Sequence, residues 1–183
     1  TLPFITKTGD AALEINVSDE FPAPHVGPEY SGIALGDDGE PVCVDASMNM
    51  SSADVKKALM ELMPLIKERL KYLTEAAEMV HFLFTEPAVP AADQIIPKKL
   101  DLAKTKEVLE ASKEFVKALP NLDHEGSEAL AREMAEKLGV KLGDFMMPIR
   151  MAVTGSRVSP PLMGSILILG VERSLERIER TLQ

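Results

Sequence analysis

Tryptophan is absent from this 183-residue chain, phenylalanine and tyrosine make up only 4% of it, and there is a single cysteine. Cys43 alone excludes an internal disulfide and suits a reducing compartment. No apolar run approaches the roughly 18 residues that a membrane-spanning helix needs. No signal-peptide pattern opens the chain, and its first residue, Thr1, reads as a processed chain or a fragment. Histidine is scarce too. His25, His81 and His124 lie far apart, none with a second ligand at helical spacing, so no metal site is expected. Cys43 has no neighbouring histidine to activate it as a nucleophile. The sequence VTGSR (153–157) has one glycine and no following lysine, which excludes a phosphate loop. The acids of GDDGE (36–40) lack the ligand spacing of a calcium loop and read as a turn. No catalytic constellation is present.

What is present favours helices: Leu, Ala and Glu dominate, with Lys and Met beside them. The net charge of −9 argues at first against a nucleic-acid partner, but its distribution changes that reading. Residues 1–50 hold one base, Lys7, against nine acids; the other 133 residues hold 19 bases and 20 acids. The acidity belongs to one segment, and the remainder has room for cationic patches.

Residues 1–50 are rich in Pro, Gly and Asp and lack a helical period; IALGDDGEPVCVD reads as a β-hairpin or a long loop. Ser51, Ser52 and Asp54 mark a helix start. Apolar residues then recur at three and four from Val55 to Val80, which predicts a helix or helix pair over 53–84, bent at Pro64. TEPAVPAADQIIPKKL, with three prolines, is the expected hinge between two subdomains. Further helices are predicted over 101–119, over 126–138 with Gly139 as its left-handed cap, and from the residue after Asp144 to about 153. Another runs from Pro160 or Pro161 to Gly170 with Ser159 as cap, and VERSLERIERTL closes the chain. The fold class is all-α, a two-subdomain helical bundle with an irregular or hairpin insertion. The expected divisions are 1–50, 51–87 and 88–183.

The bases are the most suggestive feature. Lys67, Arg69 and Lys71 cluster, Arg150 and Arg157 flank the stiff Ser159-Pro160-Pro161 corner, and Arg173, Arg177 and Arg180 form one stripe. That stripe either pairs with Glu172, Glu176 and Glu179 or contacts phosphates; Lys67, Arg157, Arg173 and Arg177 are the candidate phosphate contacts. Residues alone leave two classes open: an RNA-binding module, or a helical protein-interaction module that uses the acidic N-terminal segment.

The stretch VKLGDFMMPIRMAVTGSRVSPPLMGSILILGVERSLERIERTL (140–182) resembles the C-terminal anticodon-binding region of bacterial-type glutamyl-tRNA synthetases. LIKERLKYLTEAAEMVHFLFTE and LPFITKTG are similar to segments that precede it in that family. The resemblance implies a cage-like, all-helical region that grips the anticodon loop of tRNA(Glu). It carries the family's anticodon contacts onto Arg150, Ser159, Pro160 and Leu162, and its reader of the third anticodon base onto Arg69. Departures are residues 10–50, which have no counterpart, and Pro161, where a smaller or more flexible residue can occur. The family's HIGH-like and KMSKS-like ATP-binding motifs are also absent. The resemblance therefore implies a ligase whose ATP and Mg act in the parent enzyme, with no cofactor in this chain and no aminoacylation by it alone. The expected partner is tRNA(Glu), with neither DNA nor membrane, for a cytoplasmic monomer.

Overall fold

Ser51 starts the helical body through a reciprocal cap. Its hydroxyl accepts from the Asp54 amide at 3.3 Å while the Asp54 carboxylate accepts from the Ser51 amide at 2.9 Å. The computed structural model describes residues 32–183 except residue 73; LPFITKTG and His25 lie outside the described residues. Helix α1 (Ser52–Ile66) buries Val55, Ala58, Leu62 and Ile66, a three- and four-residue spacing that keeps one face inward. Complete burial of one such leucine contributes about 1.5–3 kcal/mol. Pro64 removes one helical bond without breaking the ladder, since the Lys67 amide still reaches Met63 O. The helix ends two residues later, and α2 (Thr74–Phe84) follows after a break. The expected bend is thus a gap between two helices.

The hairpin is present as β1 (Ile33–Leu35) and β2 (Pro41–Cys43), antiparallel, with Ile33 opposite Cys43. It packs on α1, and Ile33 and Cys43 join the cluster made by α1 and the Val80–Phe84 end of α2. The Cys43 thiol donates to Phe84 O, and Asp45 accepts the Glu86 amide at 3.1 Å. Met48 is 2% exposed.

A second cluster fills the rest of the chain. Helix α3 (Ala92–Ile95), unforeseen among the prolines, buries Ile95; α4 (Leu102–Ala118) and α5 (His124–Lys137) open on Asp101 and Asp123 caps. After α5, Gly139 adopts φ 67°, donating to Glu136 O while Val140 donates to Ala135 O, the left-handed stop that only glycine accepts cheaply. Helix α6 (Leu142–Thr154) starts three residues earlier than expected, and α7 (Leu162–Leu169) and α8 (Val171–Leu182) complete the fold. Phe115 and Phe145 meet edge-on at 5.8 Å, with Val108, Ile149, Val153, Ile166 and Ile178 buried in the same cluster. α4 packs on α8 and α6, while α7 reaches α1 and so joins the two clusters. The chain is an all-α bundle with a hairpin near its N-terminal side.

Candidate nucleic-acid interface

The corner between α6 and α7 is held from both ends. Gly155 takes φ 68°, and a Cβ there would stand 2.8 Å from Pro87 Cβ, so glycine is required by both conformation and packing. The Ser156 hydroxyl donates to Val158 O at 2.9 Å and accepts from the Val158 amide at 3.2 Å. Val158 itself is left 74% exposed at the tip. Behind the tip, Arg150 Nη1 donates to Ser159 Oγ, to Pro160 O at 2.9 Å and to Ser159 O at 3.3 Å. Ser159 was expected to cap α7. Its hydroxyl instead accepts from Arg150 and donates to Pro160 O, and α7 begins after Pro161 without any side-chain cap.

Arg150 is half-buried, and among the described residues all its side-chain hydrogen bonds leave from Nη1. Burial, and next the charge of Arg69, push its guanidinium below the usual arginine range. It remains a cation, with Nε and Nη2 still able to donate.

Arg69 reaches the same place from the α1–α2 break. Its amide and that of Leu70 both donate to Ile66 O, at 2.8 and 3.1 Å. Glu75, in the first turn of α2, accepts the Lys71 amide at 2.9 Å and fixes the break from the other side. Arg69, Lys71, Glu75, Glu78 and Met79 then face Ser156 and Val158 across a cleft of about 410 Å³. The two segments that the sequence nominated, far apart in the chain, line one cleft or stand directly behind it.

Other nominated residues are placed differently. Leu162 is 3% exposed, and Ser159 and Pro160 are also buried, so in the free chain they support the corner from within. Lys67 is exposed on the break, and exposed Arg157 donates to Gln94 O at 3.0 Å. Arg173 and Arg177, the other candidate phosphate contacts, are engaged within the fold. Arg173 donates to Met48 O at 2.9 Å, and Arg177 is 1% exposed, bonded to Val153 O, Thr85 O and Glu86. The stripe's acidic partner is Glu86, which bridges Arg177 and Arg180, whereas Glu179 pairs with Lys113. Sequence reasoning missed Val158, Glu78 and Met79 as cleft residues; an exposed valine in a polar turn was the one available signal.

A larger groove of about 620 Å³ lies between α1, α7 and α8, with Asp54, Glu61, Glu172 and Glu176 against Lys57 and Arg173. Its excess of carboxylates makes it a poor seat for a polyanion.

The family described as "Anticodon binding domain" matches residues 40–182. The chain belongs to that family. This anticodon-binding domain is 56% identical over 128 residues to the glutamate–tRNA ligase of Treponema denticola, covering 69% of this chain and 25% of that protein. It is 46% identical over 128 residues to that of Treponema pallidum strain Nichols, covering 70% and 24%. To that of Borreliella burgdorferi it is 32% identical over 129 residues, covering 70% and 26%. The chain thus spans about a quarter of the length of the curated relatives it matches. No helix among the described residues is long and apolar enough to cross a membrane.

Proposed function

We propose that this anticodon-binding domain works within a glutamate–tRNA ligase and receives the anticodon of tRNA(Glu) at the cleft between the α1–α2 break and the α6–α7 corner. The observation that carries the reading is the convergence of Arg69 with Ser156 and Val158 on that cleft, next to Arg150. An anticodon loop offers unstacked bases whose edges need donors and acceptors and whose faces need apolar support. Val158 and Met79 supply apolar surface, and Arg69 and Arg150 supply planar cationic donors. Arg150 has two roles: Nη1 fixes the corner, and its remaining donors face the RNA. Lys67, Lys71 and Arg157 neutralise phosphates around the loop. Ser159, Pro160 and Leu162 hold the corner stiff, which lowers the ordering cost of binding.

The role is selection of the tRNA, not chemistry. Among the described residues no group of three or more His, Cys, Asp or Glu could hold a metal ion, and the sequence has no phosphate loop. ATP and Mg are assigned in this reading to the catalytic part of a class I parent enzyme, whose HIGH-like and KMSKS-like motifs the sequence lacks. The chain alone is inactive in aminoacylation. It works as a cytoplasmic monomer, with the hinge near residue 87 separating two helical subdomains. Affinity for tRNA(Glu) at two salt concentrations tests the reading. Each phosphate contact formed releases counterions and steepens the loss of affinity with salt, so a strong fall is expected. Salt-independent binding, or none, would leave the helical protein-interaction module as the better account.

A further inference from the structure

Glu78 is the acid in the cleft without a partner. Glu75 is engaged by the amides of Lys71 and Tyr72, but among the described residues the Glu78 carboxylate makes no hydrogen bond or ion pair, although Arg69 and Lys71 line the same space. Arg150 adds a third cation beside Arg69. A carboxylate set among these cations repels phosphate and weakens a purely electrostatic grip. It becomes useful where it meets a hydrogen-bond donor on the ligand.

Cytosine presents such a donor. Its pairing edge carries two acceptors, O2 and N3, beside the N4 amino group, and a carboxylate accepting from N4 is a recurrent reading of that base. Arg69 can satisfy the two acceptors with its fork of N–H groups. The geometry points to Glu78 as a second specificity-determining residue, whose carboxylate accepts the N4 amino group of the third anticodon base. This inference rests on the anticodon reading above and extends it from one edge of the base to both. Uracil reverses the pattern: it offers O4 where cytosine offers N4–H2, which sets acceptor against acceptor at Glu78. An amide at position 78 resolves that conflict, since it donates to O4 or accepts from N4.

The experiment measures affinity of the 183-residue chain for tRNA(Glu) transcripts with C, U or G at the third anticodon position. Glu78 is exposed, so E78Q and E78A are expected to fold as the parent does. Wild type is expected to favour C over U by roughly a hundredfold, and E78Q to lower that ratio roughly tenfold, mainly by binding U better. E78A is expected to weaken binding of C roughly tenfold. A C-to-U ratio in E78Q within about twofold of wild type overturns the assignment, and Glu78 is then a solvated helix residue. If Arg69→Gln still shifts the C-to-G ratio in that case, the anticodon reading survives without Glu78. If wild type binds all three transcripts alike, the anticodon reading fails as well.

Discussion

Arg177 and Glu86 are 91 residues apart in the chain and 3.2 Å apart in space, and the guanidinium is 1% exposed. The same side chain donates to Val153 O at 2.6 Å, in the last turn of α6, and to Thr85 O at 3.2 Å, at the end of α2. One buried cation therefore ties α8 to the segment after α2 and to the helix that leads into the α6–α7 corner. Burial pushes its guanidinium below the usual range, and Glu86 opposes that shift.

Arg177→Ala should be strongly destabilising. It strands Val153 O and Thr85 O while Glu86 keeps Arg180, a loss of about 1–3 kcal/mol for each buried acceptor left unpaired. Arg177→Lys, which cannot reach three acceptors with one ammonium, should fall between. Chemical denaturation measures both. A loss for Arg177→Ala under about 1 kcal/mol would mean that water replaces the guanidinium without penalty.

For residues 32–50 the packing makes the hairpin segment part of the helical body's stability. A chain beginning at Met50 loses buried Met48, the Cys43 and Asp45 tethers to Phe84 and Glu86, and the acceptor of Arg173. Burial of Met48 alone accounts for about 1.5–3 kcal/mol. The truncated chain should stay helical by circular dichroism but melt several degrees lower, roughly as that loss implies for a domain of this size. An unchanged melting temperature would show the hairpin to be an accessory.

Acid should loosen the same tether. Hydrogen bonds from the Ser47 hydroxyl first, then from the Glu86 and Ser47 amides, hold the Asp45 carboxyl below the usual carboxylate range. A depressed folded value contributes stability that is present above the unfolded value and is lost as pH falls through the folded one. The Glu86 amide resonance should therefore titrate below pH 3.8, and in Asp45→Asn that titration should vanish. A midpoint above 3.8 would place the carboxylate outside these bonds in solution.

The corner prolines should matter for binding as well as for folding. Pro160 O accepts from Arg150, a bond that alanine also offers, so Pro160→Ala with Pro161→Ala should cost about 1–2 kcal/mol through unfolded-chain entropy. Affinity for tRNA(Glu) should fall about three- to tenfold as the corner loses preorganisation. Unaltered affinity would reduce the corner to a structural turn.

Local signals were legible in the sequence. The apolar period and the caps at Ser51 and Gly139 located α1 and the end of α5, and VERSLERIERTL matches α8 residue for residue. Long-range partners were not. Glu172, Glu176 and Glu179 sit beside the arginine stripe in sequence, so nothing local points to Glu86 as the acid that two of those arginines choose. Ser159 before two prolines reads as a cap, and only the fold shows that Arg150, nine residues earlier, claims its hydroxyl. Glu78 and Val158 carry no motif at all. They become a pair of cleft walls because α2 and the α6–α7 corner meet in space.

The anticodon cleft is tested most directly at Arg69. Glutamate anticodons end in C and glutamine anticodons in G, whose pairing edge sets N1–H and an amino group against the guanidinium donors. An unpaired charged donor is worth roughly a hundredfold in discrimination. The measurement is the affinity of the wild-type chain and of Arg69→Gln for tRNA(Glu) and for its variant with G at the third anticodon position. Wild type is expected to prefer C strongly, and Arg69→Gln, which both donates and accepts, to bind the two tRNAs more nearly alike. An unchanged ratio would contradict the cleft's role in reading the anticodon and leave Arg69 a solvated helix-end residue.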